Sequence, residues 1–225
     1  MTPPLAVDID GTLTRPEGPY GLDPRVLDPL RAWPAPVVVA TGKTFPYPVA
    51  LCHLTGIAER VVAENGGVVL ADDEIRTIGD GESARAVLSA FEAAAGGLRW
   101  GLDHTANRWR ETEVSFPLDT EETLLRSIAT DHGLEVVDTG YAYHVKDAGI
   151  DKGTGLRSLA DILDLDPGSF VAVGDSVNDV ALFESVDRSY AVGNADADAR
   201  NAADVVLDGA HADGFLEALD RIRGS

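Results

Sequence analysis

Short apolar runs that stop at a polar residue, separated by stretches of helical periodicity, constrain this chain more than any other feature. Residues 4–7 stop at Asp8, residues 36–40 at Thr41 and residues 170–173 at Gly174-Asp175. Residues 60–63 form a further run, and Val68-Val69-Leu70 follows the turn Asn65-Gly66-Gly67. Hydrophobic runs of this length without alternation read as strands buried on both faces. Between them, residues 23–32 put Leu27 and Leu30 on one side of a helix, and residues 45–54 read as a second helix. After Asp151 the pattern resumes with a helix bearing Leu156, Leu159, Ala160 and Leu163, then the strand at 170–173, a helix from Asn178, a strand at 190–192, a helix from Asp196, Val205-Val206-Leu207 and a last helix over 212–222. Such alternation specifies an α/β fold with a Rossmann-like parallel sheet. No run approaches the roughly 20 apolar residues needed to cross a bilayer, so no membrane partner is expected.

The rhythm breaks between residues 80 and 150. Ala84, Val87, Leu88 and Phe91 recur at helical spacing, as do Leu124, Leu125 and Ile128 behind the acidic first turn of Glu121 and Glu122. Residues 98–102, 111–116, 134–137 and 141–145 read as strands. The order helix, strand, strand, helix, strand, strand describes a small α+β cap inserted into the larger core, with domains at 1–79 plus 151–225 and at 80–150. Trp100 and Trp109 are expected to fill the small core of the cap. His104, His132, His144, Tyr141 and Tyr143 are expected to be structural rather than to touch a ligand.

Charge narrows the classes of partner. The 225 residues carry 25 aspartates and 13 glutamates against 15 arginines and three lysines, a formal net charge of −20. That surface lacks the basic patch which gives proteins affinity for phosphate backbones, so a nucleic-acid partner is not expected. The self-repulsion of so many carboxylates is screened over about 3 Å in 1 M salt, and the excess of acid points to adaptation to high salt. Cys52 is the only cysteine, which rules out an internal disulfide and a cysteine-based zinc site and fits a reducing, cytoplasmic location. No basic n-region precedes the first apolar segment, so export is not expected. Nothing in the sequence specifies an oligomeric state.

In a parallel sheet the carboxyl ends of the strands share one edge, and ligands bind there. Asp8, Asp10, Thr41, Lys152, Asp175 and Asp179 therefore converge if the strands are as read. A carboxylate such as Asp8 can attack phosphorus and form an acyl phosphate. Asp10 can protonate the leaving oxygen and then deprotonate the attacking water, and Gly11 permits the tight turn between them. Four acidic groups crowding one pocket would need a cation, and Mg²⁺ suits an oxygen-only site that also takes waters and phosphate oxygens. Asp175 is the main candidate ligand, with Asp179 supporting it directly or through water and Asn178 behind it. The Thr41 hydroxyl and the Gly42 N–H can hold phosphoryl oxygens while the Lys152 ammonium offsets their charge. Gly42-Lys43-Thr44 is not a P-loop, because Val37 stands where its first glycine belongs and Pro46 and Pro48 follow.

Four segments, Asp8-Ile9-Asp10-Gly11-Thr12-Leu13-Thr14, Ala40-Thr41-Gly42-Lys43, Asp151-Lys152-Gly153 and Gly174-Asp175-Ser176-Val177-Asn178-Asp179, together resemble the haloacid dehalogenase superfamily of phosphohydrolases. A cap between the second and third segments resembles its C2 class, and Glu64-Asn65-Gly66-Gly67 the branch with an α+β cap. Length and cap size are most similar to its archaeal-type phosphoglycolate phosphatases. The resemblance implies Asp8 as nucleophile and metal ligand, and Asp10 as acid/base with its backbone carbonyl on the metal. It further implies Thr41 and Lys152 on the phosphoryl group, and Asp175 and Asp179 at the metal. Many relatives carry arginine where Lys43 stands, which keeps Lys43 out of the catalytic set. The implied substrate is a small phosphorylated metabolite, phosphoglycolate first and sugar phosphates or osmolyte precursors next. A receiver-like phosphoacceptor gathers a similar pocket, but it has no use for Asp10 or for a cap.

Overall fold

The computed structural model of the protein describes residues 2–16 and 21–224. The chain begins with β1 (Leu5–Val7), α1 (Leu27–Arg31), β2 (Val37–Ala40), α2 (Pro46–Thr55), β3 (Val61–Ala63), β4 (Val68–Ala71) and β5 (Glu74–Thr77). An insertion follows, made of α3 (Gly81–Ala95), β6 (Val114–Phe116), α4 (Glu122–Asp131), β7 (Leu134–Asp138) and β8 (Tyr143–Asp147). The core then resumes with α5 (Lys152–Ile162), β9 (Val171–Gly174), α6 (Val180–Phe183), β10 (Arg188–Ala191), α7 (Ala197–Ala202), β11 (Val205–Val206) and α8 (His211–Gly224).

The main sheet has the order β11-β10-β9-β1-β2-β3-β4-β5. Pairing is parallel from β11 through to β3, and antiparallel only where β4 and β5 are added. Alternation along each strand feeds two apolar layers. Leu5, Val7, Val171 and Val173 meet Phe215, Leu219 and Ile222 of α8 on one face. Ala6, Val38 and Ala172 meet Leu156, Leu159 and Leu182 on the other. Each fully buried leucine or phenylalanine here contributes about 1.5–3 kcal/mol. Register does the rest: Val7 lies opposite both Val39 and Val173. The residues just past these strand ends therefore share one rim.

The inserted cap is a separate antiparallel sheet, β6-β8-β7, covered by α3 and α4 through Val87, Leu88, Phe91 and Leu125. Phe91 and Phe116 meet edge to face at 5.2 Å. The cap departs from its expected pattern at three places. Residues 98–102 form no strand. The free edge of β6 is satisfied instead by the Asn107 side chain, which accepts from Ser115 N at 2.7 Å and donates to Ser115 O at 3.0 Å and Trp100 O at 2.9 Å. The run expected over 111–116 shortens at its start because the N–H groups of Glu111 and Thr112 go to the Glu64 carboxylate. Trp100 and Trp109 do not enter the cap core; the loop that carries them runs out to the cleft described below, and Trp109 is 49% exposed. The solvent-facing hairpin strand β5, with only Ile75 as a large apolar residue and that one exposed, carried no apolar signal.

Candidate active site

Asp8 follows β1 with its N–H bonded to Val173 O of β9, and its carboxylate is buried. Lys152, the first residue of α5, is completely buried and donates to Asp8 Oδ1 and Asp179 Oδ1, both at 2.7 Å. The helix start that presents it is capped by Asp151, which accepts from Thr154 N at 2.7 Å. Asp179 is fixed from behind, since its Oδ2 accepts from the N–H groups of Asp175 and Ser176 at 2.9 and 3.1 Å. Asp175 Oδ1 accepts from Thr12 Oγ1 at 3.0 Å. Carboxylate oxygens of Asp8, Asp175 and Asp179 lie within 4.8 Å of one another.

Of the four acids expected to crowd one pocket, three meet. The Asp10 carboxylate turns toward Lys43, 2.8 Å away, at the open side of the site. Lys43, which the family resemblance keeps out of the catalytic set, thus stands beside the candidate acid/base. Thr41 is buried, and its hydroxyl accepts from Lys43 N at 3.1 Å. Asn178 bonds back to Ser176 Oγ at 2.8 Å and forward to Asn65 Oδ1 at 2.9 Å. Gly11, at φ +80°, leaves no room for a side chain, because a Cβ there would come to 2.0 Å from Asp175 Oδ2.

Electrostatics make the three acids an incomplete set. Burial pushes the Asp8 carboxyl up to about 7; the Lys152 ammonium opposes this, while Asp179 and Asp10 add to it. Burial and then the charges of Asp8 and Asp179 push Asp175 up to about 9. Burial alone would lower the Lys152 pKa, but Asp179 and Asp8 hold it above its ordinary value. An oxygen-only donor set in which Asp8 and Asp175 resist ionising together fits a hard divalent cation, which would relieve the repulsion.

Above this floor opens a cleft of about 620 Å³, bounded by core residues such as Gly42 and Tyr47 and by cap residues including Trp100, Trp109, Arg110 and Tyr141. Tyr141 is half exposed there. Burial and the neighbouring Asp175, Asp10 and Asp8 push its hydroxyl up to about 12, which keeps it a donor. His104 stacks on Trp100 at 5.4 Å. His144 is buried and lines the cleft, with Nδ1 2.9 Å from Glu113 Oε1. Burial, followed by Arg110 and three lysines, holds it well below the usual histidine range. By contrast His132 bonds Ile128 O on the helix it ends, and Tyr143 packs in the cap core.

The cap is fastened to the core by polar contacts between the Glu64-Asn65-Gly66-Gly67 turn and cap residues that stand in no motif. Glu64 accepts from Glu111 N, Thr112 N and Thr112 Oγ1. Asn65 Nδ2 donates to Glu113 Oε2 at 2.9 Å. Arg110 pairs with Glu113 and donates to Gly42 O at 3.0 Å and Ala106 O at 2.8 Å. Arg110, Thr112 and Glu113 lie in a stretch of ordinary composition, and only the docking of cap on core brings them to Glu64, Asn65 and Gly42.

A parallel sheet with a capped rim, a buried aspartate held by a lysine and an adjacent acid trio define an enzyme-like phosphoryl-transfer site. The chain belongs to the haloacid dehalogenase-like hydrolases, whose family model matches residues 119–219. It is 56% identical over 225 residues to the phosphoglycolate phosphatase of Natronomonas pharaonis, covering 99% of each chain. It is 33% identical to that of Methanothermobacter thermautotrophicus, covering 98% of each. Among solved structures, a Thermoplasma acidophilum protein superposes with a TM-score of 0.86 at 25% identity over 99% of each chain. The sucrose-phosphatase of Synechocystis shares the fold with a TM-score of 0.71 at 20% identity, over 99% of this chain and 98% of its own.

Proposed function

We propose that the protein is a magnesium-dependent phosphomonoester hydrolase that converts 2-phosphoglycolate and water to glycolate and phosphate. The observation that carries the reading is the buried Asp8 carboxylate, held at 2.7 Å by Lys152 on the floor of the cap-covered cleft, with Asp10 two residues on and open to that cleft. The names borne by relatives at 56% and 55% identity supply the substrate.

Asp8 attacks phosphorus, the bond from phosphorus to the glycolate oxygen breaks, and Asp10 gives that oxygen its proton. Water, deprotonated by Asp10, then hydrolyses the aspartyl phosphate and restores Asp8. Lys152 keeps Asp8 oriented and offsets phosphoryl charge, while the Thr41 hydroxyl and Gly42 N–H hold phosphoryl oxygens. Asp8, Asp175 and the Asp10 carbonyl would hold the Mg²⁺, with Asp179 orienting the set through the Asp175 N–H. The bound ion supplies positive charge to the phosphoryl oxygens and keeps Asp8 ionised. The cap excludes bulk water during the reaction and opens to release product.

Steady release of phosphate from 2-phosphoglycolate, dependent on Mg²⁺ and lost in Asp8→Asn, is the expected result. One stoichiometric phosphorylation without turnover would instead fit a phosphoacceptor. The aromatic walls at Trp109 and Tyr141 favour a second reading, a sugar or osmolyte-precursor phosphate stacked against them; a higher kcat/KM for such esters would replace the first substrate. The net charge and the halophilic sources of several relatives support an enzyme of a salt-rich cytoplasm.

A further inference from the structure

We propose that Arg110 is the residue that reads the leaving group, its Nη2 edge forming the subsite for a carboxylate close to the reacting phosphorus. The inference deepens the reading of the substrate as 2-phosphoglycolate and rests on it.

The side chain is pinned from three directions. Nε donates to Ala106 O at 2.8 Å, and Nη1 donates to Gly42 O at 3.0 Å and to Glu113. No acceptor among the described residues is bonded to Nη2. Buried side-chain atoms without a partner among those residues are limited to Arg60 Nε and His211 Nδ1, so Arg110 Nη2 is reached by solvent. Since the side chain is only 8% exposed and lines the cleft, that solvent is the cleft's. A guanidinium held in this way offers an unspent pair of N–H donors without paying rotamer entropy when a ligand arrives.

Position then selects the ligand. In 2-phosphoglycolate only an oxygen and a methylene separate phosphorus from the carboxylate carbon, so the reader of the carboxylate has to stand next to the phosphoryl site. Arg110 does, because its Nη1 already bonds the carbonyl of Gly42, whose N–H is assigned to the phosphoryl oxygens. The other cations of the site, Lys43 on Asp10 and Lys152 on Asp8 and Asp179, are held at the reacting carboxylates rather than at the leaving-group side. Arg110 is itself paired with Glu113, but that contact is made through Nη1 and leaves the Nη2 edge open to the cleft. The aromatic residues that line the cleft supply no charge.

The test compares kcat/KM for 2-phosphoglycolate with that for 2-hydroxyethyl phosphate, in which a neutral hydroxymethyl group replaces the carboxylate, in 2 M KCl with Mg²⁺. The wild-type ratio is expected to be at least about 100, the scale of a lost buried charge-assisted contact. In Arg110→Gln/Glu113→Gln, which removes both charges of the pair, the ratio should collapse at least about 30-fold. Arg110→Lys, which keeps the charge and loses the fork, should lower it about tenfold. Ratios in both variants within threefold of wild type would overturn the assignment while leaving the substrate reading intact. A wild-type ratio near one would instead sink the substrate reading. If the double variant does not fold, the ratio of Arg110→Lys decides alone, and an unaltered value overturns the assignment.

Discussion

The side-chain amide of Asn178 donates to Asn65 Oδ1 at 2.9 Å, which ties the loop bearing Asp175 and Asp179 to the turn on which the cap rests. Asn65 sits at φ +53°, a left-handed conformation that asparagine tolerates better than most residues. Both ends of its carboxamide are used, one on Asn178 and the other on Glu113. Cap closure and the geometry of the acidic loop are therefore coupled through one side chain.

Replacing that side chain should separate the two bodies chemically without unfolding either. Asn65→Gly keeps the backbone conformation and removes the amide, so kcat should fall by about 10–100-fold, as expected when a supporting partner is lost, with a smaller change in KM. Asn65→Ala adds backbone strain of about 1 kcal/mol, visible as a lower urea midpoint than in Asn65→Gly. Equal kcat in Asn65→Gly and wild type would show that the coupling does not reach the chemistry.

The raised carboxyls of Asp8 and Asp175 give a pH dependence of known sign. Each has an ordinary value of 3.8 and lies in the metal-free fold near 7 and 9 respectively. Between about pH 4 and those values the folded protein holds protons that the unfolded chain has released. Rising pH therefore favours unfolding, by up to about 1.4 kcal/mol per pH unit for each proton retained. In chelator, the Tm should fall from pH 5.5 to 8.5. Mg²⁺ should flatten that slope by replacing the protons, and Asp175→Asn should flatten it without metal. A slope in chelator identical for wild type and Asp175→Asn would refute the assignment.

What was legible in the sequence was what a strand end writes in a few residues. Asp8, Thr41 and Asp175 follow short apolar runs, and parallel register alone brings them to one rim, as Val7 opposite Val39 and Val173 does. Residues 98–102 misled because Leu98, Trp100 and Leu102 alternate like a strand, whereas the hydrogen bonds of the β6 edge were taken by the distant side chain of Asn107. Trp109 likewise has the composition of a core residue and the position of a cleft residue. Arg110 and Glu113 left no pattern, since their roles exist only once cap and core dock, and the Glu64-Asn65-Gly66-Gly67 segment marked a capped branch without showing which cap groups it would bind.

Gly11 gives the most local prediction. A Cβ there would be strained by φ +80° and would also meet Asp175 Oδ2 at 2.0 Å, so Asp175 must move in Gly11→Ala. The backbone term costs about 1–2 kcal/mol, and the displaced carboxylate weakens metal binding. Activity titrated with Mg²⁺ should show a half-saturating concentration at least about tenfold higher, on the scale of a disturbed ligand shell, together with a reduced kcat. Unaltered Mg²⁺ dependence would mean that Asp175 is not the ligand.

The charge of −20 predicts how stability responds to salt. Repulsion among surface carboxylates is felt over about 10 Å in 0.1 M salt and about 3 Å in 1 M, so its destabilising part is largely gone by the second concentration. Salts excluded from the protein surface act differently and continue to strengthen apolar burial at higher concentration. The two contributions separate in a urea titration of the Mg²⁺-loaded enzyme from 0.1 to 3 M KCl, repeated with K₂SO₄ at matched ionic strength. Screening should raise the midpoint steeply below about 1 M, equally in both salts. A further, sulfate-favoured rise above that belongs to exclusion. A midpoint flat across the whole KCl range would show that the acidic surface is not an adaptation to salt.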